Sequence, residues 1–295
     1  MDSPSSVGPL SIKTVCGVSP LGRWSYSAWR PPQLQGLIDH LWAYDGPSSH
    51  RRKRVFPNGR VELIFNFGDP YRLVEGAGSE VCRNTWISGP QVGPMLLEQP
   101  AHQDVIGVRL RPAGAYALVA RALRETTGLL LDLSDLIGPE ASELLERCEK
   151  ATSIESRFRV LAEWIGQCST RTGGIDRAVA WAIAQLDASG GTTPIAALRE
   201  RTGLSKMQLV EVFRDQVGLA PKRYGRIARF RRALGQLQSA GPGRLIDVAL
   251  GSQYYDQAHM NAEFRALAGV TPRAFLAARH PVGDGSTVSE GPPAS

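Results

Sequence analysis

Five histidines, four cysteines and 28 acidic residues are the raw material for acid–base, nucleophilic or metal chemistry in this 295-residue chain. Their spacing supports little of it. Cys16, Cys82, Cys148 and Cys168 are scattered with no C-x-x-C pair, which reads as reduced structural thiols and disfavours a zinc site. His102-x-Asp104 has the residue types of an acid–base pair, yet two positions apart on a strand-like run such pairs are common without catalysis. No G-x-S-x-G elbow, Walker loop, G-x-G-x-x-G or H-E-x-x-H occurs. The expectation is therefore no catalytic residue, no metal and no cofactor. The chemistry the chain favours is electrostatic. Residues 175–280 hold 15 Lys and Arg against 8 Asp and Glu, while the remainder holds 19 against 20. The net charge of +6 thus belongs to one segment, as attraction to phosphates would require, although a solvated basic surface without a partner has the same charge.

That segment contains one local pattern twice, 51 residues apart. Phe213-Arg214, Gly218, Pro221 and Tyr224 return as Phe264-Arg265, Gly269, Pro272 and Phe275, with a basic residue after each Pro. The recurrence predicts two copies of a helical unit. In the first, Ile195–Arg201 is a short helix, Thr202-Gly203-Leu204 a tight turn, and Ser205 with Gln208 a capping box ahead of a helix buried through Leu209, Val212 and Phe213. In the second, Ile246 to Leu250 is the short helix and Asp256 the cap of a helix that buries Met260 and Phe264. Phe213, Phe264, Tyr224 and Phe275 read as core. Between the units, Lys222–Leu237 predicts a helix with Ile227, Phe230, Leu234 and Leu237 inward and Arg226, Arg229, Arg231 and Arg232 largely outward. Helix, turn and capped second helix is a helix-turn-helix pattern, and two such units about 34 Å apart can enter successive major grooves.

The first 172 residues read differently. Residues 1–20 are rich in Ser, Pro and Gly and predict a loose lead-in. From about 21 to 111 the chain is β-like: Arg60–Phe67 alternates with Val61, Leu63, Phe65 and Phe67 on one face, and Asp104–Arg111 with Ile106, Val108 and Leu110, each fitting a strand with one buried face. Turn residues between short strands predict a small barrel or sandwich. Arg51-Arg52-Lys53-Arg54 reads as a charged loop before a strand more readily than as a DNA contact. Helices are expected after Pro112, at about 139–150 and at 153–168, and Arg171-Thr172-Gly173-Gly174 marks the boundary. The Gly/Pro/Ser-rich tail, 281–295, predicts disorder. No apolar run of about 18 residues and no secretory leader pattern occur, so a cytoplasmic protein without a membrane span is expected.

Residues 175–279 resemble the DNA-binding domain of AraC/XylS-type transcription regulators. The resemblance rests on Gly203-Leu204-Ser205 with Leu209 and Phe213, Gly218-x-x-Pro221-x-x-Tyr224, Ala249-Leu250, Tyr254 with Asp256-Gln257-Ala258-His259, and Phe264-Arg265 with Gly269-x-Thr271-Pro272. It implies seven helices, in two helix-turn-helix subdomains joined by a long helix. By position it puts base-facing residues at Met207, Val210 and Glu211, and at Gln257, Ala258, Asn261 and Ala262, with Ser205 at the start of the first reading helix and Lys206, Arg214 and Arg265 nearer phosphates. Any of these can equally be an ordinary surface residue, and His259 a capping or packing one. Glu211 and Ala262 stand where the family commonly has Arg, which implies that two bidentate guanine contacts are lost. Gln253 replaces the usual turn Gly, which implies a distorted turn.

More loosely, Phe56-Pro57-Asn58-Gly59, Ser88-Gly89-Pro90 and Gly107–Gly114 resemble the β-rich sensor region ahead of some such domains. If that holds, Glu62, Asn66, Trp86 or Arg109 could line a pocket for a small effector; otherwise they are positions that set the fold. The expectation is an α+β chain: a β-rich sensor or dimerisation domain with a helical tail (1–172), an all-helical DNA-binding domain (173–280) and the tail. Double-stranded DNA is the expected partner, with a small effector, a homodimer and, for an activator, RNA polymerase as further ones. Arg231→Ala and Lys206→Ala are expected to weaken DNA binding generally. The alternatives are an enzyme acting on a small molecule in the N-terminal domain with the helices as accessory, and an adaptor for an acidic partner.

Overall fold

A computed structural model describes residues 10–76, 78–119, 122–171, 174–240, 244–278 and 287–293. Twelve strands among them form two antiparallel sheets. The larger has the order β1 (Lys13–Ser19), β2 (Gly22–Trp29), β3 (Ile38–Pro47), β10 (His102–Leu110), β5 (Val61–Asn66), β8 (Thr85–Ser88) and β11 (Leu130–Asp132). The smaller has the order β12 (Thr287–Pro293), β4 (His50–Val55), β9 (Met95–Glu98), β6 (Arg72–Glu75) and β7 (Gly78–Val81).

The alternation of β5 is real, but both of its faces are buried. Val61, Leu63 and Phe65 join Ile106, Val108 and Leu110 in a core that packs on helices. Ile64 on the opposite face joins Trp86 and Val105 of the same sheet and Leu97 of the other, so the second sheet covers the side expected to meet water. Gly107 is required at the middle of β10, because a Cβ there would lie 2.1 Å from the Trp42 ring on the neighbouring strand.

Three sequence expectations are corrected here. The basic run 51–54 is strand β4 itself, with Arg52 paired across to Glu98 at 3.0 Å. The lead-in contains β1, which pairs along its full length with β2. Within the tail expected to be disordered, residues 287–293 pair with β4; residues 281–286, 294 and 295 lie outside the described set. β4 and β12 owe their existence to partner strands remote in sequence, which local composition does not register, whereas β1 forms a tight hairpin with its neighbour β2.

Helices α1 (Pro112–Val119), α2 (Ser134–Ile137), α3 (Glu140–Lys150) and α4 (Ile154–Arg171) close the first core with Leu144, Phe158, Leu161 and Trp164. Seven helices follow among the described residues: α5 (Arg177–Ala188), α6 (Ile195–Thr202), α7 (Lys206–Val217), α8 (Pro221–Ala240), α9 (Leu245–Gly251), α10 (Gln257–Ala268) and α11 (Pro272–Ala278). Their core runs continuously through Leu209, Phe213, Tyr224, Phe230, Phe264 and Phe275, the duplicated aromatics included. From the N-terminal part, Phe56 is buried within it and Val92 packs against it.

Candidate nucleic-acid interface

In the first unit, α6 ends at Gly203, whose φ of 71° turns the chain out of the helix while its N–H still bonds Arg199 O. Ser205 then caps α7 as the sequence predicts. Its hydroxyl accepts from Gln208 N at 3.2 Å and Gln208 Oε1 accepts from Ser205 N at 3.0 Å. Leu209, Phe213 and Val217 recur at helical spacing and are buried. That rotation of the helix leaves Ser205, Lys206, Met207, Glu211 and Arg214 exposed and Val210 half-buried. Met207 is 69% exposed, far more than a core methionine tolerates.

The second unit reaches the same shape by other means. Asp256 caps α10 by accepting from His259 N at 2.7 Å. Met260, Phe264, Leu267 and Ala268 face inward, while Ala258, Ala262 and Arg265 are exposed and Gln257 and Asn261 half-buried. Gln253 does not distort the turn: it adopts the left-handed backbone a glycine would take, with φ 60°. His259 is a packing and capping residue, its ring edge-on to Tyr254 at 5.4 Å and its Nδ1 accepting from Tyr255 N at 3.4 Å.

Of the arginines expected to face outward from α8, Arg232 is exposed, while Arg226, Arg229 and Arg231 are half-buried and engaged. Arg226 Nε bonds Glu263 Oε2 at 2.6 Å, and Arg229 lies over the buried Tyr254 ring at 5.8 Å. Arg231 bonds Asp187 Oδ1 at 2.8 Å and Asn58 O at 3.0 Å. Arg231 is therefore an internal strut and not the free phosphate contact that Arg231→Ala was expected to remove. Helical periodicity put it off the apolar stripe, but a second domain packs there. Exposed cations do remain near the reading helices, at Lys206, Arg214, Arg265, Arg199, Arg201, Lys222, Arg223 and Arg273.

The four N-terminal candidates do not converge. Glu62 and Arg109 are direct cross-strand neighbours, with Arg109 Nη2 and Nε bonding Glu62 Oε1 at 2.6 and 2.7 Å. Asn66 is fully buried and its Nδ2 donates to Gly68 O and Asp69 O, stapling a turn. Trp86 is buried with its ring 5.5 Å from that of Tyr71. A cleft of about 550 Å³ is lined by Arg109 but by none of the other three. Its remaining walls, Arg30, Asp39, His40 and Arg111 among them, were not singled out in the sequence. Burial, and then Arg109, pushes His40 down to about 4, so it is neutral at pH 7. Burial opposes ionisation of Asp39, yet Arg60 and Arg111 outweigh it and hold the carboxyl below its usual range.

The His102/Asp104 pair does not form: His102 Nε2 meets Asp45 at 2.8 Å and Asp104 meets Arg157 at 3.1 Å. Cys82, Cys148 and Cys168 are buried and Cys16 is exposed, all as free thiols. Among the described residues no cluster of three His, Cys, Asp or Glu could hold a metal ion, and no helix is long and apolar enough to cross a membrane.

Compared with known protein families, residues 198–278 match a helix-turn-helix domain. These residues, 198–278, form an AraC-type helix-turn-helix domain. This helix-turn-helix domain follows a segment, residues 30–132, that matches a domain of unknown function, DUF6597. Comparison with curated protein sequences finds no match. Among solved structures, ToxT from Vibrio cholerae shares 11% identity over 80% of this chain and 97% of its own, with a TM-score of 0.48. The unsaturated fatty acid bound form of ToxT from Vibrio cholerae strain SCE256 shares 10% over 79% and 93%, with 0.46. The AraC-like transcriptional activator CuxR shares 11% over 76% and 87%, with 0.31.

Proposed function

We propose that the protein is a sequence-specific DNA-binding transcription regulator that reads two successive major grooves with α7 and α10. The observation that carries this reading is that both second helices of a matched helix-turn-helix domain keep their outer faces open, beside exposed cations. Lys206, Arg214 and Arg265 supply salt-dependent attraction to phosphates, and Ser205 sets the start of the first reading helix. Gln257 and Asn261 provide amide contacts suited to adenine, and Glu211 an acceptor suited to the cytosine amino group. Met207, Val210, Ala258 and Ala262 supply apolar contact of the kind made to thymine methyls.

The N-terminal domain is the place for control. The cleft beside Arg109, His40 and Asp39 is the better candidate for a small effector than the expected set of Glu62, Asn66 and Trp86, because those three lie outside its lining. Self-association, contact with RNA polymerase if the protein is an activator, and a cytoplasmic location complete the proposal. Selection of bound duplexes from a random pool tests it. A two-part site with centres about one helical turn apart, bound more weakly as salt rises, is the expected result. Recovery of no enriched sequence at low salt overturns it.

A further inference from the structure

We infer that the N-terminal domain sets the separation of the two reading helices, by gripping equivalent points of both helix-turn-helix units. This rests on the DNA-reading function proposed above.

The grip centres on the loop between β4 and β5, Phe56 to Arg60. Phe56 leaves its own domain and is 1% exposed inside the helical core, 6.1 Å from the Phe230 ring of α8 and 5.9 Å from the Phe275 ring of α11. Phe230 in turn lies 4.8 Å from Phe264 on the second reading helix. At the other end of the loop, Arg60 reaches the first unit. Its Nη1 donates to Tyr224 Oη at 2.6 Å and its Nη2 to Asp187 Oδ2 at 3.2 Å, while Nε stays on Asp39 of its own domain at 2.9 Å. Tyr224 donates onward to Asp187 at 3.0 Å. Between these anchors, Gly59 has φ 68° and lies so close to α8 that a Cβ would meet Tyr224 at 3.4 Å and Ile227 at 3.5 Å. Arg231 donates to Asn58 O, closing the loop onto the helix.

Tyr224 and Phe275 are equivalent residues of the two sequence copies. One loop therefore holds both, by a hydrogen bond where the copy has a hydroxyl and by ring packing where it does not. The same doubling occurs at the C-caps of the reading helices. Gly218, closing α7, is seated where a Cβ would lie 2.8 Å from Pro90 and 3.1 Å from Leu123 O, and its carbonyl accepts from Thr127. Gly269, closing α10, is seated where a Cβ would lie 2.3 Å from Arg54 and 3.5 Å from Pro94. Arg124 adds an ion pair to Asp215 on α7 at 2.5 Å. Matched contacts on both units by one sheet-borne frame restrain their relative position more tightly than a shared helix alone.

Phe56 and Arg60 are thus positioning residues for DNA reading. The test uses full-length protein with Cys16→Ser, so that nitroxides attach only at Met207→Cys and Ala262→Cys. Pulsed electron resonance should give a narrow distance distribution, and adding Phe56→Ala or Arg60→Met should broaden it; Arg60→Lys should fall between. On unlabelled protein, a selected duplex is lengthened by one or two base pairs between its half-sites, each moving the second about 3.4 Å along the axis. The parent should lose about tenfold in affinity and Arg60→Met under about threefold, with base preference within each half-site unchanged. If Phe56→Ala does not fold, Arg60→Met carries the test, since it keeps an unbranched apolar stem and loses the guanidinium's bonds and charge. A folded Arg60→Met with parental distances and a parental spacing penalty overturns the inference. Failure of the parent to bind any duplex overturns only the function proposed above, because the distance measurement needs no DNA.

Discussion

The two helix-turn-helix units share an apolar frame and differ in almost every polar detail. Phe213 and Phe264 are both fully buried, and Gly218 and Gly269 both close their helices with left-handed backbone. Around that frame, unit one turns on a glycine and caps with a reciprocal Ser/Gln box, whereas unit two turns on Gln253 and caps with a single carboxylate. The outer faces diverge most: lysine, methionine and glutamate on α7, amides and alanines on α10. The fold of such a unit is set by a few buried and left-handed positions, which leaves the exposed positions free to take different sequences. The units also meet the N-terminal domain differently, unit one through an ionic and hydroxyl network and unit two through an aromatic ring.

The equivalence of the frames breaks first at their rings. Phe213→Ala and Phe264→Ala should each cost about 3–5 kcal/mol in denaturant unfolding, and a gap of more than about 2 kcal/mol between them would show that one unit bears more of the stability. The C-cap glycines should separate the units. Gly218→Ala meets proline and a backbone carbonyl as well as left-handed strain, and should cost about 2–4 kcal/mol; Gly269→Ala meets the movable end of Arg54 and should cost about 1–2 kcal/mol. Equal losses in thermal unfolding would mean that the two seats are equally rigid.

The reading faces should differ in kind. Asn261→Ala should relax discrimination at one position of the site by about 1–3 kcal/mol, whereas Lys206→Ala should weaken all duplexes alike and lower the salt slope by about one. Binding titrations at several salt concentrations distinguish these, and a uniform loss from Asn261→Ala would remove it from the base-reading set. The smallest contrast is at the turns. Gly203→Ala, with open space around it, should lose about 1 kcal/mol to backbone strain alone, and Gln253→Gly should gain up to about as much. A loss from Gln253→Gly would mean that the side chain contributes more than its backbone strain costs.

The helical half was legible because its signals are local. The Ser205/Gln208 box, the Asp256 cap and the buried stripes of α7 and α10 are each set within a few residues of chain. What was illegible depended on partners far away in sequence. β4 and β12 are strands only because strands remote in sequence lie beside them, and β5 is covered on a face whose Glu62 and Asn66 suggested water. Arg231 carries the same lesson for the candidate site. Its place off the apolar stripe said exposed, and Asn58, more than 170 positions earlier, made it an internal contact. The cleft beside His40 was missed because its walls come from separate strands and loops, none with a recognisable spacing.

Phe56 has one more implication, for how such a chain can be cut or recombined. Severed between α4 and α5, the C-terminal piece would be left with a vacancy the size of a benzene ring in the middle of its packing, ringed by Phe230 and Phe275. Such a fragment would be sticky and loosely ordered, so its behaviour would misreport that of the parent. A graft of these helices onto a foreign sensor would have to carry its own plug for that hole.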